Sequence, residues 1–268
     1  MKQIGEGEKE HSFLDHIEIL RWHLIRSAVA VLIVTVLAFM FPDFLFDKII
    51  LASKNPNFPT YQFFCWLSDT LQFGEALCIN ETPFELMNIK MSGQFSTHIV
   101  SSIIAGVIVA FPYVFWEIWR FIKPALHSAE QKYSRGVVFY TSFLFIIGVL
   151  FGYFAVAPLS VQFLGNYQVS SQVVNQINLN SFISTVTTVC LANGIVFLLP
   201  MLIYFLSKLG LISPEFLRQY RRHALVVLMI LAAIITPPDI MSLILVTFPL
   251  MLLYEISIKV SAKFQDKE

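Results

Sequence analysis

Three acids stand at positions where their chemistry is constrained by what surrounds them. Glu130, in "FIKPALHSAEQ", follows Pro124, which ends a helix, and Ser128, a candidate N-cap. That spacing predicts a first-turn carboxylate, whose ionised form the helix dipole favours. It is either a structural first-turn acid or an anionic site for a basic ligand on the same face. Asp239, in "IITPPDIMS", follows Pro237 and Pro238. Proline cannot continue the helix ending at Thr236, and the carboxylate can cap the next helix by accepting backbone N–H groups. The alternative role is proton movement or substrate passage. Glu18 and Arg21, in "SFLDHIEILRWHL", are three residues apart and can pair on one helical face. "ISPEFLRQYRRH" repeats the first-turn device, with Ser213 as N-cap, Pro214 at the first helical position and Glu215 in the first turn.

Enzyme chemistry is not expected. There is no HExxH, GxSxG, Walker A or CxxC pattern. His11, His16, His23, His98, His127 and His223 lack metal-ligand spacing and read as interface or packing residues. No metal or other cofactor is implied. Formal net charge is zero, so bulk basicity gives no support for nucleic-acid binding.

The elements that must position these residues are membrane helices. The chain is 56% hydrophobic and 13% charged, against about 25% charged in an average soluble domain. From residue 136 to 207 there is no Asp, Glu, Lys or Arg, room for two helices of roughly 20 residues crossing a core of about 30 Å. The polar start lacks the apolar stretch of a signal peptide, so the first hydrophobic helix is expected to remain in the mature chain. Six spans are expected, at 27–46, 98–121, 136–164, 182–207, 224–236 and 240–256, forming one transmembrane domain over 1–268. The segment 1–26 reads as a cytoplasmic amphipathic helix lying in the interface, and 47–97 as a long outer loop.

Fifteen Lys and Arg fall on the side holding both termini and only Lys48, Lys54 and Lys90 on the other, which puts the termini in the cytoplasm. The outer loop then meets an oxidising compartment, and Cys65 and Cys78 are expected to form a disulfide; Cys190 reads as a small packing residue. The second outer loop, "GNYQVSSQVVNQINLNS", is a short cap or a re-entrant excursion. The last two spans, 13 and 15 residues to Tyr254, are about 20 and 22 Å long and too short for a full hydrocarbon core.

Together, "HIEILRWHL", "FIKPALHSAE", "FGYFAVAPL", "ISPEFLRQYRRH" and "TPPD" resemble the TatC family, the multispanning subunit of the twin-arginine protein translocase. The likeness covers nearly the whole chain; the paired cysteines and long outer loop resemble Bacteroidetes-like members. The resemblance implies a glove-like fold of six helices in the bacterial inner membrane. It implies a receptor for Arg-Arg signal peptides of folded cargo, working with TatA- and TatB-type single-span partners, in a homo-oligomeric complex driven by the proton gradient. Arg21, Phe121, Pro124, Glu130 and Asp239 fall where the family pattern has functional residues, with Glu130 facing the signal arginines. Carboxylate and guanidinium suit each other, since the planar fork of arginine can be accepted bidentately and lysine cannot reproduce it.

The chain departs from the pattern in four places. The family acid in its amino-terminal motif is Ile19, with Glu18 one residue earlier and about 100° round the helix. The family glutamate in span four is Leu198, the glutamine after "TPPD" is Leu243, and the outer-loop proline is Ser53. Leu198 and Leu243 thereby replace polar groups expected to face partner helices. Two other functions remain open on sequence. One is a proton-coupled small-solute transporter using Asp239 and Glu255, against which stands the absence of an internal repeat. The other is a degenerate paralogue that assembles but recognises cargo poorly.

Overall fold

The computed structural model describes residues 13–70, 84–123, 134–170, 172, 175–208, 210–237 and 239–265. Helix α1, Phe13–Met40, is unbroken over 28 residues because it contains neither Gly nor Pro, and it stops just ahead of Pro42. The expected boundary near residue 26 between an interfacial helix and a span is absent. Apolar sequence long enough to cross a membrane already begins at Ile17. The charged residues of the first turns extend from the same helix, their stems free to lie along it.

A π-helical stretch, Phe44–Ile50, and a short turn, Leu51–Lys54, lead to α2, Pro59–Thr70, and strand β1, Glu85–Met87. Helix α3, Gly93–Ile122, returns antiparallel to α1 and carries Pro112 inside it. Their closest approach is at Gly106, where an added Cβ would stand 2.2 Å from Thr35 Oγ1 and 3.0 Å from the Val31 carbonyl oxygen. Small residues serve membrane helices in this way, by letting backbones meet. Nearer the outer end His98 stacks on Phe39 with ring centroids 4.1 Å apart, a packing role as expected.

Helix α4, Ser134–Phe151, passes through a π-helical turn, Gly152–Val156, into α5, Ala157–Asn166. Beside it runs α6, Leu179–Val196, continued after a break at Phe197–Leu198 by α7, Leu199–Lys208. Pro200 explains the break, since it cannot supply the N–H that would reach back to residue 196. Gly148 and Gly152 bring α4 against α6, the Asn193 carbonyl oxygen lying 2.6 Å from where a Cβ of residue 148 would be. Cys190 is a buried free thiol in this contact.

The outer loops form a cap. Strand β2, Gln176–Asn178, pairs in parallel with β1, Leu86 opposite Ile177, so the second outer loop is not re-entrant. The Asn175 amide anchors it by donating to the carbonyls of Gly165 (2.9 Å) and Tyr167 (3.0 Å). Tyr61, 1% exposed, directs its hydroxyl at the carbonyls of Ser53 (2.9 Å) and Pro158 (3.2 Å). Ser53 is itself fully buried, and its hydroxyl donates to the Ile50 carbonyl at 3.0 Å. Cys65 is disulfide-bonded; Cys78 lies outside the described residues.

Helix α8, Pro214–Gln219, is capped as its sequence predicts: the Ser213 side chain accepts from the Phe216 N–H at 3.2 Å. Helix α9, Arg221–Ile235, has 15 residues and matches the expected short span. Its successor does not. Helix α10, Ile240–Gln265, runs for 26 residues through Pro249, with apolar sequence sufficient to cross a membrane from Ser242 to Ala262. It passes through Lys259 and through Glu255, which pairs with Arg221 across the hairpin. Among the described residues, five helical stretches are long and apolar enough to cross a membrane.

Candidate functional site

The antiparallel pairing of α1 and α3 brings the first turns of one beside the last turns of the other, on the Lys- and Arg-rich side. Three of the expected site residues lie on these two helix ends. Arg21 and Glu18 are exposed on α1, and Phe121 is half-buried at the end of α3. The His23 ring tilts against the Phe121 ring at 59°, centroids 6.2 Å apart. No ion pair joins Glu18 to Arg21: both side chains stay in the open, where such pairs contribute little. Pro124 and Glu130 lie outside the described residues, as does Ser128.

An unanticipated acid sits one turn before Phe121. Glu117 is 1% exposed in a membrane-spanning helix. Its Oε2 accepts from His23 Nδ1, and its Oε1 accepts from the Tyr113 hydroxyl at 3.1 Å. Arg26, three residues along α1 from His23, acts on the same carboxylate through space. A carboxylate buried at such depth is costly unless hydrogen-bonded and paired, and here it is both. His23 is therefore not the simple packing residue its scattered spacing suggested. The sequence signal was present: an acid in the apolar run "AFPYVFWEIWRFI" requires a partner, and the opposing helix offers a histidine and an arginine three residues apart.

At the outer end of the α9–α10 hairpin, Asp239 is 6% exposed and caps α10, accepting from the Ser242 N–H at 2.6 Å. Oδ2 is buried and has no hydrogen-bond partner among the described residues. Thr236 closes α9, its hydroxyl donating to the Ala232 carbonyl at 2.9 Å. Pro237 is half-buried, and Pro238 lies outside the described residues. Ser242 shares a 2.7 Å hydrogen bond with Ser160 of α5, fixing this hairpin to the second half of the long third crossing. Leu198 falls, half-buried, at the break between α6 and α7, and Leu243 packs on the buried core.

Residues 15–249 match the family model of the Sec-independent protein translocase protein TatC. The chain is a member of the TatC family. A TatC from Blattabacterium sp. subsp. Periplaneta americana is 42% identical over 255 residues, covering 95% of this chain and 96% of that one. A TatC from Carboxydothermus hydrogenoformans is 32% identical over 263 residues, 97% of each chain. A crystal structure of the twin-arginine translocase receptor TatC in DDM superposes with a TM-score of 0.69, at 32% identity, over 92% of this chain and 99% of that one. As a TatC-family protein the chain is a multi-pass, all-α component of a protein translocase, working in twin-arginine translocation with partner subunits.

Proposed function

We propose that this TatC-family chain is the receptor subunit that binds the Arg-Arg motif of signal peptides at the cytoplasmic face of the bacterial inner membrane. The observation that carries the reading is the packing of α1 on α3, where the contact of His23 with Phe121 brings the helix that holds Glu18 and Arg21 against the end of α3, from which the chain leads to Pro124 and Glu130. Glu130 supplies the carboxylate that accepts an arginine fork, at about 1.5 to 3 kcal/mol per charge-assisted hydrogen bond. The solved relative is itself described as a twin-arginine translocase receptor. Bound cargo is then passed to single-span partners of the TatA and TatB type, in a complex holding several copies of this chain and driven by the proton gradient. The short α9 and the Asp239-capped hairpin form the face where such helices dock, with Leu198 and Leu243 making that contact apolar.

The test is binding of a labelled twin-arginine signal peptide to the purified protein, beside its Lys-Lys counterpart and a Glu130→Gln variant. Weakening by roughly tenfold or more on both changes, about 1.4 kcal/mol, supports the receptor; binding indifferent to both rejects it. A second reading, a receptor of reduced affinity, is favoured by Ile19, 41% exposed on α1 where the family carries an acid. Ile19→Glu should then tighten binding.

A further inference from the structure

The buried acid of α3 has no evident use as a source of stability. Replacing a buried ion pair by well-packed apolar residues is often neutral or stabilising, and the best-attested use of such pairs is to fix register. Register is what the geometry here controls. Leu20, His23 and Ser27 follow one another at helical spacing along the covered stripe of α1, whereas Ile19 and Arg21 are exposed about 100° to either side of Leu20. With His23 held by Glu117, that stripe is locked towards α3 and Arg21, two residues from His23, is turned outward and exposed. The same histidine touches Phe121, so one side chain fixes both the rotation of α1 and its height against the end of α3. Tyr113 holds the second carboxylate oxygen, leaving Glu117 no freedom to swing away.

We propose that Glu117 and His23 are a positioning pair for twin-arginine recognition, presenting Ile19 and Arg21 at a set rotation and height of α1 against the end of α3. This rests on the receptor reading given above. Glu117 does not touch the peptide; it acts through His23. The charged and titratable groups around His23 are Glu117, Tyr113 and, further along, Arg120 on α3, with Arg26 on α1 itself. Among them the carboxylate is the acceptor of the hydrogen bond from His23.

The experiment uses the full chain in lipid nanodiscs with a labelled Arg-Arg signal peptide and its Lys-Lys variant, from acid to mildly alkaline pH. Glu117→Gln and His23→Gln should each weaken Arg-Arg binding about tenfold and narrow its margin over Lys-Lys, and the double variant should be no worse than either. His23→Arg, which keeps a donor on the carboxylate, should recover affinity and the margin over Lys-Lys. Spin labels on Leu20 and Ile122 should report one narrow distance in the wild type and a broader one in Glu117→Gln, with the melting temperature as a check on folding. Wild-type binding that Glu117→Gln leaves unchanged, in affinity and in discrimination, overturns the inference while the receptor stands. A wild type that binds neither peptide overturns the receptor reading itself.

Discussion

The Arg221 guanidinium lies 2.9 Å from the Glu255 carboxylate, tying the first turn of α9 to the middle of α10. The two side chains are 47% and 34% exposed, so the pair is screened and contributes little, at most about 1 kcal/mol. Glu255→Gln should lower thermal stability slightly at low salt and not at all at high salt. Loss of the α10 helix in that variant, read by circular dichroism, would contradict this account.

Asp239 is built as a cap. Asp239→Ala should cost about 1 kcal/mol, whereas Asp239→Asn keeps the acceptor for the Ser242 N–H and should melt close to the wild type. Export of a twin-arginine reporter separates structure from charge: an asparagine variant that is stable yet inactive shows that the ionised or protonatable form is required.

Close packing of α4 on α6 depends on Gly148. A Cβ there would stand 2.6 Å from the Asn193 carbonyl oxygen and 2.7 Å from Phe197 Cβ, so Gly148→Ala should cost about 1 to 3 kcal/mol. Gly136→Ala is the control, meeting among the described residues only Tyr140 at 3.9 Å. It should be neutral or gain up to about 1 kcal/mol from helix propensity. Thermal unfolding of the two variants in one detergent decides the matter.

Burial pushes the Tyr61 phenol above the ordinary tyrosine value. The sign follows from linkage: the folded chain holds this proton more tightly than the unfolded chain does, so stability from Tyr61 is full below about pH 10 and declines above it. Tyr61→Phe should cost about 1 to 3 kcal/mol at neutral pH and flatten the alkaline edge of the stability profile.

The outer loop offers a covalent test. Intact protein should resist alkylation at Cys65 and Cys78 until reduced, and reduction or Cys65→Ser should lower stability by about 3 kcal/mol in the chain-entropy account. Free alkylation of both thiols without reductant would exclude their pairing.

Much of this was legible in local chemistry. Ser213 followed by Pro214, and Asp239 after a proline pair, fix their backbones within three or four residues, and both caps form as their spacing predicts. The family was readable for the same reason, its motifs being short and contiguous. What the sequence hid depends on partners distant along the chain. Glu117 and His23 are 94 residues apart, and neither is distinctive until the helices are laid side by side. The expected end of the last span near Ile256 falls short of Gln265, and the Glu255–Arg221 pair that accompanies the longer helix joins residues 34 apart. The β1–β2 pairing likewise joins two polar loops whose strands are three residues each, too short for any periodicity to register.

That small parallel pairing has a mechanical consequence. It staples the approach to α3 to the approach to α6, so these two helices leave the outer surface from a common anchor. Flexing of one against the other must then grow with distance from the staple and be largest at the opposite ends. The lever arm of the molecule thus points away from the staple, towards the ends that carry Arg120 on α3 and Lys208 on α7, the continuation of α6.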